Sequence, residues 1–308
     1  MKTVSIIRGG MVCLLMGLFT ACEKSVDVLI PGNLQPDYSG ITTLRVENYV
    51  NRLFIDLLGR EATETERQAA VQELRDSALS TSIRRRLITR LQSDTSFHPG
   101  DSSYRHAYCE RIYQLMKARF LEGADDGELQ LRLGNARFAE TIARLNGDSV
   151  GVFSARNQAA SYENVLKSRR NYRLGKISFG EMCSYMMNNG IYDVINMNSF
   201  NFVNASYDDL FNRLPTRDEF NRAYDVIEYN KPAVIHGIVC TNRNEYLRAL
   251  TESSEFYEAQ VRWVWFTLLQ REPSTGELFR VLPPYRLSGD LMEVQKQALQ
   301  SDEYAQFR

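Results

Sequence analysis

Three histidines, five cysteines and one dense acidic turn hold most of this chain's capacity for metal binding or nucleophilic chemistry. His98, His106 and His236 stand in no HExxH or similar ligand spacing, which would set two imidazoles on one face of a helix. Cys109, Cys183 and Cys240 are far apart, with no CxxC pair and no Cys/His spacing. They read as three buried thiols rather than as a zinc site, and a single disulfide is the alternative. Asp125, Asp126 and Glu128 in GADDGE offer oxygen ligands, but the alternating loop that wraps calcium is missing. Neither a GxSxG elbow nor a GxxxxGKS/T phosphate loop occurs. The sequence therefore predicts no catalytic residue, no metal ligand and no cofactor, and the expectation is a protein that is not an enzyme.

The N-terminus points to a different chemistry. Lys2 and Arg8 form a positive region, Met11 to Phe19 an apolar run, and Thr20-Ala21 the small residues before Cys22. That order is a secretory signal peptide over residues 1–21, too short in its apolar part to span a bilayer as a mature helix. With cysteine as the first mature residue it resembles a bacterial lipoprotein signal. Phe19 departs from the leucine usual there, and Leu18 sits one place earlier. The resemblance implies lipid attachment at Cys22 and a place in the cell envelope, on the outer membrane of a Gram-negative bacterium. Residues 22–42 carry Pro31-Gly32, Pro36 and Gly40 and read as the acylated N-terminus and a flexible tether.

The remaining residues, 43–308, carry an internal repeat. Counting from Val50, Val203 and Val261, an aromatic falls at plus four (Phe54, Tyr207, Trp265) and leucine at plus seven (Leu57, Leu210, Leu268). Leu58, Phe211 and Leu269 follow at plus eight. Arg60, Arg213 and Arg271 stand at plus ten, Thr63, Thr216 and Ser274 at plus thirteen, and Glu66, Glu219 and Glu277 at plus sixteen. Offsets zero, four, seven and eight line one face of an α-helix. A hydroxyl followed three residues later by glutamate is a capping box that opens a second helix. Packing and capping leave the arginine column unexplained. A structural role at the end of the first helix, bonding its last carbonyls, is the main reading, and a recurrent ligand-binding arginine the sharper one.

Each unit continues through a further amphipathic helix to an ending with an aromatic: LQSDTSF at 91–97, LTESSEF at 250–256 and LQSDEY at 299–304. A fourth, worn unit begins with Tyr108, Ile112, Leu115 and Met116 and closes on GKISFGEMCSYMMNNGIY, with a capping box from Ser178 to Glu181. Residues 145–160 read as an inserted loop and 196–204 as a connector. The expected fold is all-α, about four helix-turn-helix units in a bundle or short repeat array, with units near 44–97, 104–192, 202–256 and 260–304.

Composition agrees with a globular chain of 308 residues, 44 % hydrophobic and 24 % charged. Its net charge of −1 becomes −3 once Lys2 and Arg8 leave with the signal, which argues against a nucleic-acid partner. The clusters Arg84-Arg85-Arg86 and Lys167 to Arg170 have acids nearby and read as solvated faces.

VNRLFIDLLGREATETE with RRRLITRLQSDTSF resembles a helical module of unknown function that accompanies cytochrome-like domains in planctomycetes. YDDLFNRLPTRDE, FTLLQREPSTGE and GKISFGEM resemble helical repeats of bacterial surface proteins and the phycobilisome linker domain. These resemblances imply an all-α bundle that docks other proteins, and they supply no catalytic residues. No CxxCH haem motif and no calcium-binding nonapeptide repeat accompanies them here.

The expected function is a lipid-anchored adaptor or accessory subunit of an envelope assembly. Its partners would be the membrane, through the lipid, and an envelope protein. A surface glycan- or nutrient-binding lipoprotein is the alternative. Trp265 takes the core column, and Trp263 reads first as packing, with a partner or glycan contact as the sharper reading. An enzyme with a site in 98–200, around His98, His106, Asp125 and Glu128, ranks third.

Cys22→Ser is expected to abolish fatty-acid labelling and to release the protein from membranes, read by fractionation of cells expressing both forms. Unchanged labelling would refute acylation at this residue.

Overall fold

A helix ends where its amides and carbonyls find other partners, and here the repeat columns mark those places. The computed structural model describes residues 36–307. Cys22, the signal peptide and most of the tether lie outside the described residues. Helix α1 (Thr43–Leu58) buries Val50, Phe54, Leu57 and Leu58 on one stripe. It stops at Gly59, whose left-handed backbone (φ 77°) lets its amide donate to the Ile55 carbonyl. Thr63 then caps α2 (Glu64–Asp76) with a complete capping box through Glu66. The same corner recurs twice. Helix α9 (Ser199–Phe211) ends at Asn212 in the left-handed region, and Thr216 boxes α10 (Arg217–Tyr229). Helix α12 (Ser254–Leu269) ends at Gln270, likewise left-handed, and Ser274 boxes α13 (Thr275–Ser288). Offset nine is thus a further column, defined by backbone conformation rather than by residue type.

Between these corners run α3 (Thr81–Ser93), α4 (Tyr104–Phe120), α5 (Asp126–Leu145), α6 (Ser149–Arg173), α7 (Phe179–Met187) and α8 (Gly190–Asn196). Helix α11 (Arg243–Thr251) follows α10, and α14 (Leu291–Leu299) and α15 (Asp302–Ala305) close the chain. One antiparallel ribbon, Ala233–Ile235 with Ile238–Cys240, lies between α10 and α11 and turns at His236-Gly237. The fold is all-α, as the spacing predicts.

Several details differ from the sequence expectation. Residues 145–160 are not a loop. Helix α5 continues to Leu145, Asn146-Gly147-Asp148 turns, and Asp148 caps α6. Small residues read as loop formers there, but Ala155, Ala159 and Ala136 are buried and let the two helices run close as an antiparallel pair. Residues 196–204 are mostly the first turns of α9, capped by Asn198, after a break at Met197 (φ 61°). The endings LTESSEF and LQSDEY are beginnings: Ser253 and Ser301 cap α12 and α15, and Phe256 and Tyr304 are buried. In the first unit Phe97 is exposed, while Tyr104 is buried against Phe54. Finally, the tether ends before residue 42. Tyr38 is buried and its hydroxyl donates to Asp302 at 2.6 Å.

That last contact belongs to a closure of the whole array. The Tyr49 hydroxyl donates to the Leu299 carbonyl (3.1 Å), Arg52 to the Tyr304 carbonyl (2.8 Å), and the Tyr304 hydroxyl to Asp56 (2.7 Å). Arg84 is buried rather than solvated, and pairs with Asp302 at 2.8 Å. Gln92 and Tyr108 meet on Gln295. The last helices therefore pack on the first, and one continuous core runs through the described residues.

Helix α7 meets the end of α11 closely at Gly180, where an added Cβ would lie 3.0 Å from the Thr251 carbonyl oxygen and 3.2 Å from the Thr251 Cβ. A backbone oxygen cannot swing aside. Gly180→Ala is expected to destabilise the fold by about 1–3 kcal/mol, the usual scale of overpacking. An unchanged thermal midpoint in calorimetry would show that the two helices have slack there.

Candidate functional site

The three arginines of the repeat occupy equivalent places and make equivalent bonds. Arg213 donates through Nη1 and Nη2 to the two oxygens of Glu219, both at 2.9 Å, and through Nε and Nη2 to Glu255, at 2.5 and 2.8 Å. Arg271 does the same with Glu277 (2.9 and 2.8 Å) and Glu303 (both 2.7 Å). Arg60 holds Glu66 (2.8 and 2.7 Å) and Asp101. Each Nη1 also donates to the carbonyl of the next residue, Glu61, Leu214 or Glu272, which lies beyond the first helix, so the expected bond to that helix's last carbonyls is not the one made. Arg60 and Arg213 lie over the aromatics at plus four, 5.3 Å from the Phe54 ring and 5.2 Å from that of Tyr207.

Each glutamate has two duties. One Glu219 oxygen accepts from the Thr216 amide (2.7 Å) and hydroxyl (2.8 Å) as well as from Arg213, so the cap of the second helix and the arginine share a single carboxylate. Glu66 adds the Tyr104 hydroxyl at 2.9 Å. Arg213 hydrogen bonds and the Thr216 amide outweigh burial and hold Glu219 down to about 2. At Glu66, burial acts upward but Arg60 and the Thr63 amide outweigh it, again leaving about 2. Arg271 likewise holds Glu277 well below the ordinary carboxylate range. The guanidinium nitrogens are thus taken up within the protein.

The worn unit solves the corner differently. Lys117, not an arginine in register, reaches Asp126 at the start of α5 (2.8 Å) and is buried. Tyr113 and Arg169 join the same carboxylate. Two residues on, Arg119 is half-buried, and among the described residues it has no hydrogen-bond or ion-pair partner.

The other candidates fall in separate places. His98 stacks on Tyr104 (3.6 Å between ring centres) and meets Asp94 at 3.1 Å. His106 meets Arg173. Asp125 caps α5, and Glu128 pairs with Arg132 at 2.7 Å. Cys109, Cys183 and Cys240 are buried and free, and burial pushes the Cys183 thiol up to about 12 and that of Cys109 up to about 11. Trp263 is half-buried and stacked on Phe179 with ring centres 6.4 Å apart, while Trp265 is in the core.

One cluster escaped the reading of spacing. Ligand atoms of Glu219, His236 and Glu255 lie within 4.8 Å of one another. Both carboxylates are engaged by Arg213, so a guanidinium already stands where a metal would gain its charge. The ribbon turn that carries His236 gave no sequence signal linking it to positions 219 and 255.

The chain matches no protein-family model, no curated protein and no solved structure.

The clasps make stability depend on acid. A carboxylate whose folded pKa is lowered contributes stability above its ordinary value of 4.5, and that contribution is lost as pH falls from there through about 2. Arg213→Gln is expected to cost about 1–2 kcal/mol at pH 7, since water on the open side of the guanidinium screens part of the charge. The deficit should shrink as pH falls from 4.5 towards 2. Thr216→Ala should cost about 1 kcal/mol. Denaturant melts at several pH values check both, and a pH-independent deficit for Arg213→Gln would show that the carboxylate pairing is not its cause.

Proposed function

We propose that the chain is a lipid-anchored, non-enzymatic adaptor of the cell envelope, and that it docks a partner protein on the outer side of the α5–α6 hairpin. The observation that carries this reading is the pattern of α5. Leu129 and Ala136 are buried inward. Leu131, Phe138, Ile142 and Leu145 share the opposite face and are exposed, Phe138 at 68 % and Leu145 at 78 %. Val150 and Phe153, at the start of α6, extend the patch round the tip. Ion pairs of Arg156 with Glu140 and of Arg137 with Glu163 clamp the hairpin elsewhere and leave that outward face free of charge.

A helix apolar on two sides is built to be covered on both. Contiguous exposed apolar surface of this kind marks interaction sites. The three clasps support a scaffold role, because their arginines spend their donors inside the protein. Anchoring rests on the order of Lys2, Arg8, the apolar run and Cys22, and no helix among the described residues is long and apolar enough to cross a membrane. The resemblance to protein-docking helical modules points the same way.

The test compares full-length lipidated protein with the double variant Phe138→Glu, Phe153→Glu. Helical circular dichroism and the thermal midpoint should stay unchanged, while cross-linking to the envelope partner drops at least about tenfold, as expected for loss of interface anchors. Equal cross-linking by both forms would overturn the docking face. A wild-type protein that stays monomeric, cross-links nothing and binds an oligosaccharide would transfer the reading to glycan capture.

A further inference from the structure

Arg119 differs from the three clasp arginines of this fold. Arg60, Arg213 and Arg271 are each saturated by two carboxylates. The corresponding corner after α4 is closed by Lys117 on Asp126 instead, which leaves Arg119 outside the clasp. Its guanidinium is partly desolvated, and burial pushes its pKa down. Asp208 and Asp209 act on it only through space. Asp209 accepts the Tyr192 hydroxyl at 2.8 Å, and burial pushes its own pKa up.

Arg119 lines a cavity of about 420 Å³ between the ends of α4 and α9 and the side of α12. Phe211, Trp263 and Phe266 supply its apolar walls. Arg262 stands on the rim, but its charge is committed to Glu258 (2.7 Å) and Glu272 (2.8 Å). Arg119 is therefore the cation of this cavity with donors to spare. A guanidinium fork suits a carboxylate bidentately, and the cost of burying it unpaired is recovered when an anion arrives. The volume lies within the range of small-molecule sites. Trp263, held by its stacking on Phe179, offers a fixed flat surface.

We propose that this cavity binds a small organic carboxylate with a flat apolar body, its carboxylate on Arg119 and its body against Trp263 and Phe266. The site is distinct from the α5–α6 docking face and stands or falls separately from it.

Calorimetric titration of the full chain with phenylacetate and with its uncharged amide tests the assignment. Wild-type protein should bind phenylacetate at least about tenfold more tightly than phenylacetamide, the scale of one charge-assisted hydrogen-bonded pair. Arg119→Gln should abolish that preference while leaving the thermal midpoint unchanged or raised, because it removes an unpaired, partly buried charge. Phe266→Ala, at an exposed position, should weaken both ligands without altering their ratio. No binding by wild type, equal binding of acid and amide, or an undiminished preference in Arg119→Gln would each overturn the proposal. Should Arg119→Gln fail to fold, the wild-type acid-to-amide ratio and the Phe266→Ala titration still decide it.

Discussion

One carboxylate shared between a helix cap and an arginine is the constraint on which the rest of the structure depends. A corner between two helices leaves amides unsatisfied at the start of the second and carbonyls exposed at the end of the first. Glu66, Glu219 and Glu277 reach back to the cap residue's amide, and the arginine at plus ten donates to the carbonyl that follows it. The remaining guanidinium nitrogens then select an acid on a later segment: Asp101, Glu255 or Glu303. Three segments are fixed by a single side chain. A lysine could not reproduce this, because the geometry uses a planar fork on two carboxylates at once.

Closure of the array follows from the same economy of partners. The acid that completes the last clasp, Glu303, lies on α15, and its neighbour Asp302 pairs with buried Arg84 from α3. Tyr38, Tyr49 and Tyr304 then join the two ends of the described chain through hydrogen bonds and ring contacts. A helical repeat that stayed open would offer a long concave surface. This one spends its ends on each other. The α5–α6 hairpin follows the corner that lacks the arginine and carries exposed apolar side chains.

That corner shows what happens when the clasp is lost. Lys117 supplies a point charge for Asp126, helped by Tyr113 and Arg169. Asp126 thus ties α4, α5 and, through Arg169, α6, but with separate cations rather than with one guanidinium fork on two carboxylates. The second helix runs on to pair with α6, and Arg119 faces a cavity. Departure from the repeat, rather than the repeat itself, generates the features available for function.

The sequence by itself determined the helical class, the three corners and their capping boxes. Each of these is a local event: a stripe set by 3.6 residues per turn, or a hydroxyl and a glutamate three positions apart. The arginine column was visible for the same reason, since its first partner lies only six residues away. What only the tertiary structure decided is every contact that depends on which surfaces meet. The second clasp acid lies 41, 42 or 32 residues from its arginine and shares no fixed spacing. The approach of His236 to Glu219 and Glu255, the closure of α15 onto α1, and the unpaired state of Arg119 are of the same kind. Residues 145–160 fall between these cases. Their glycines, serines, asparagines and aspartate carry little helical signal alone, and the segment packs as helix against a neighbouring helix closely enough to bury Ala155 and Ala159.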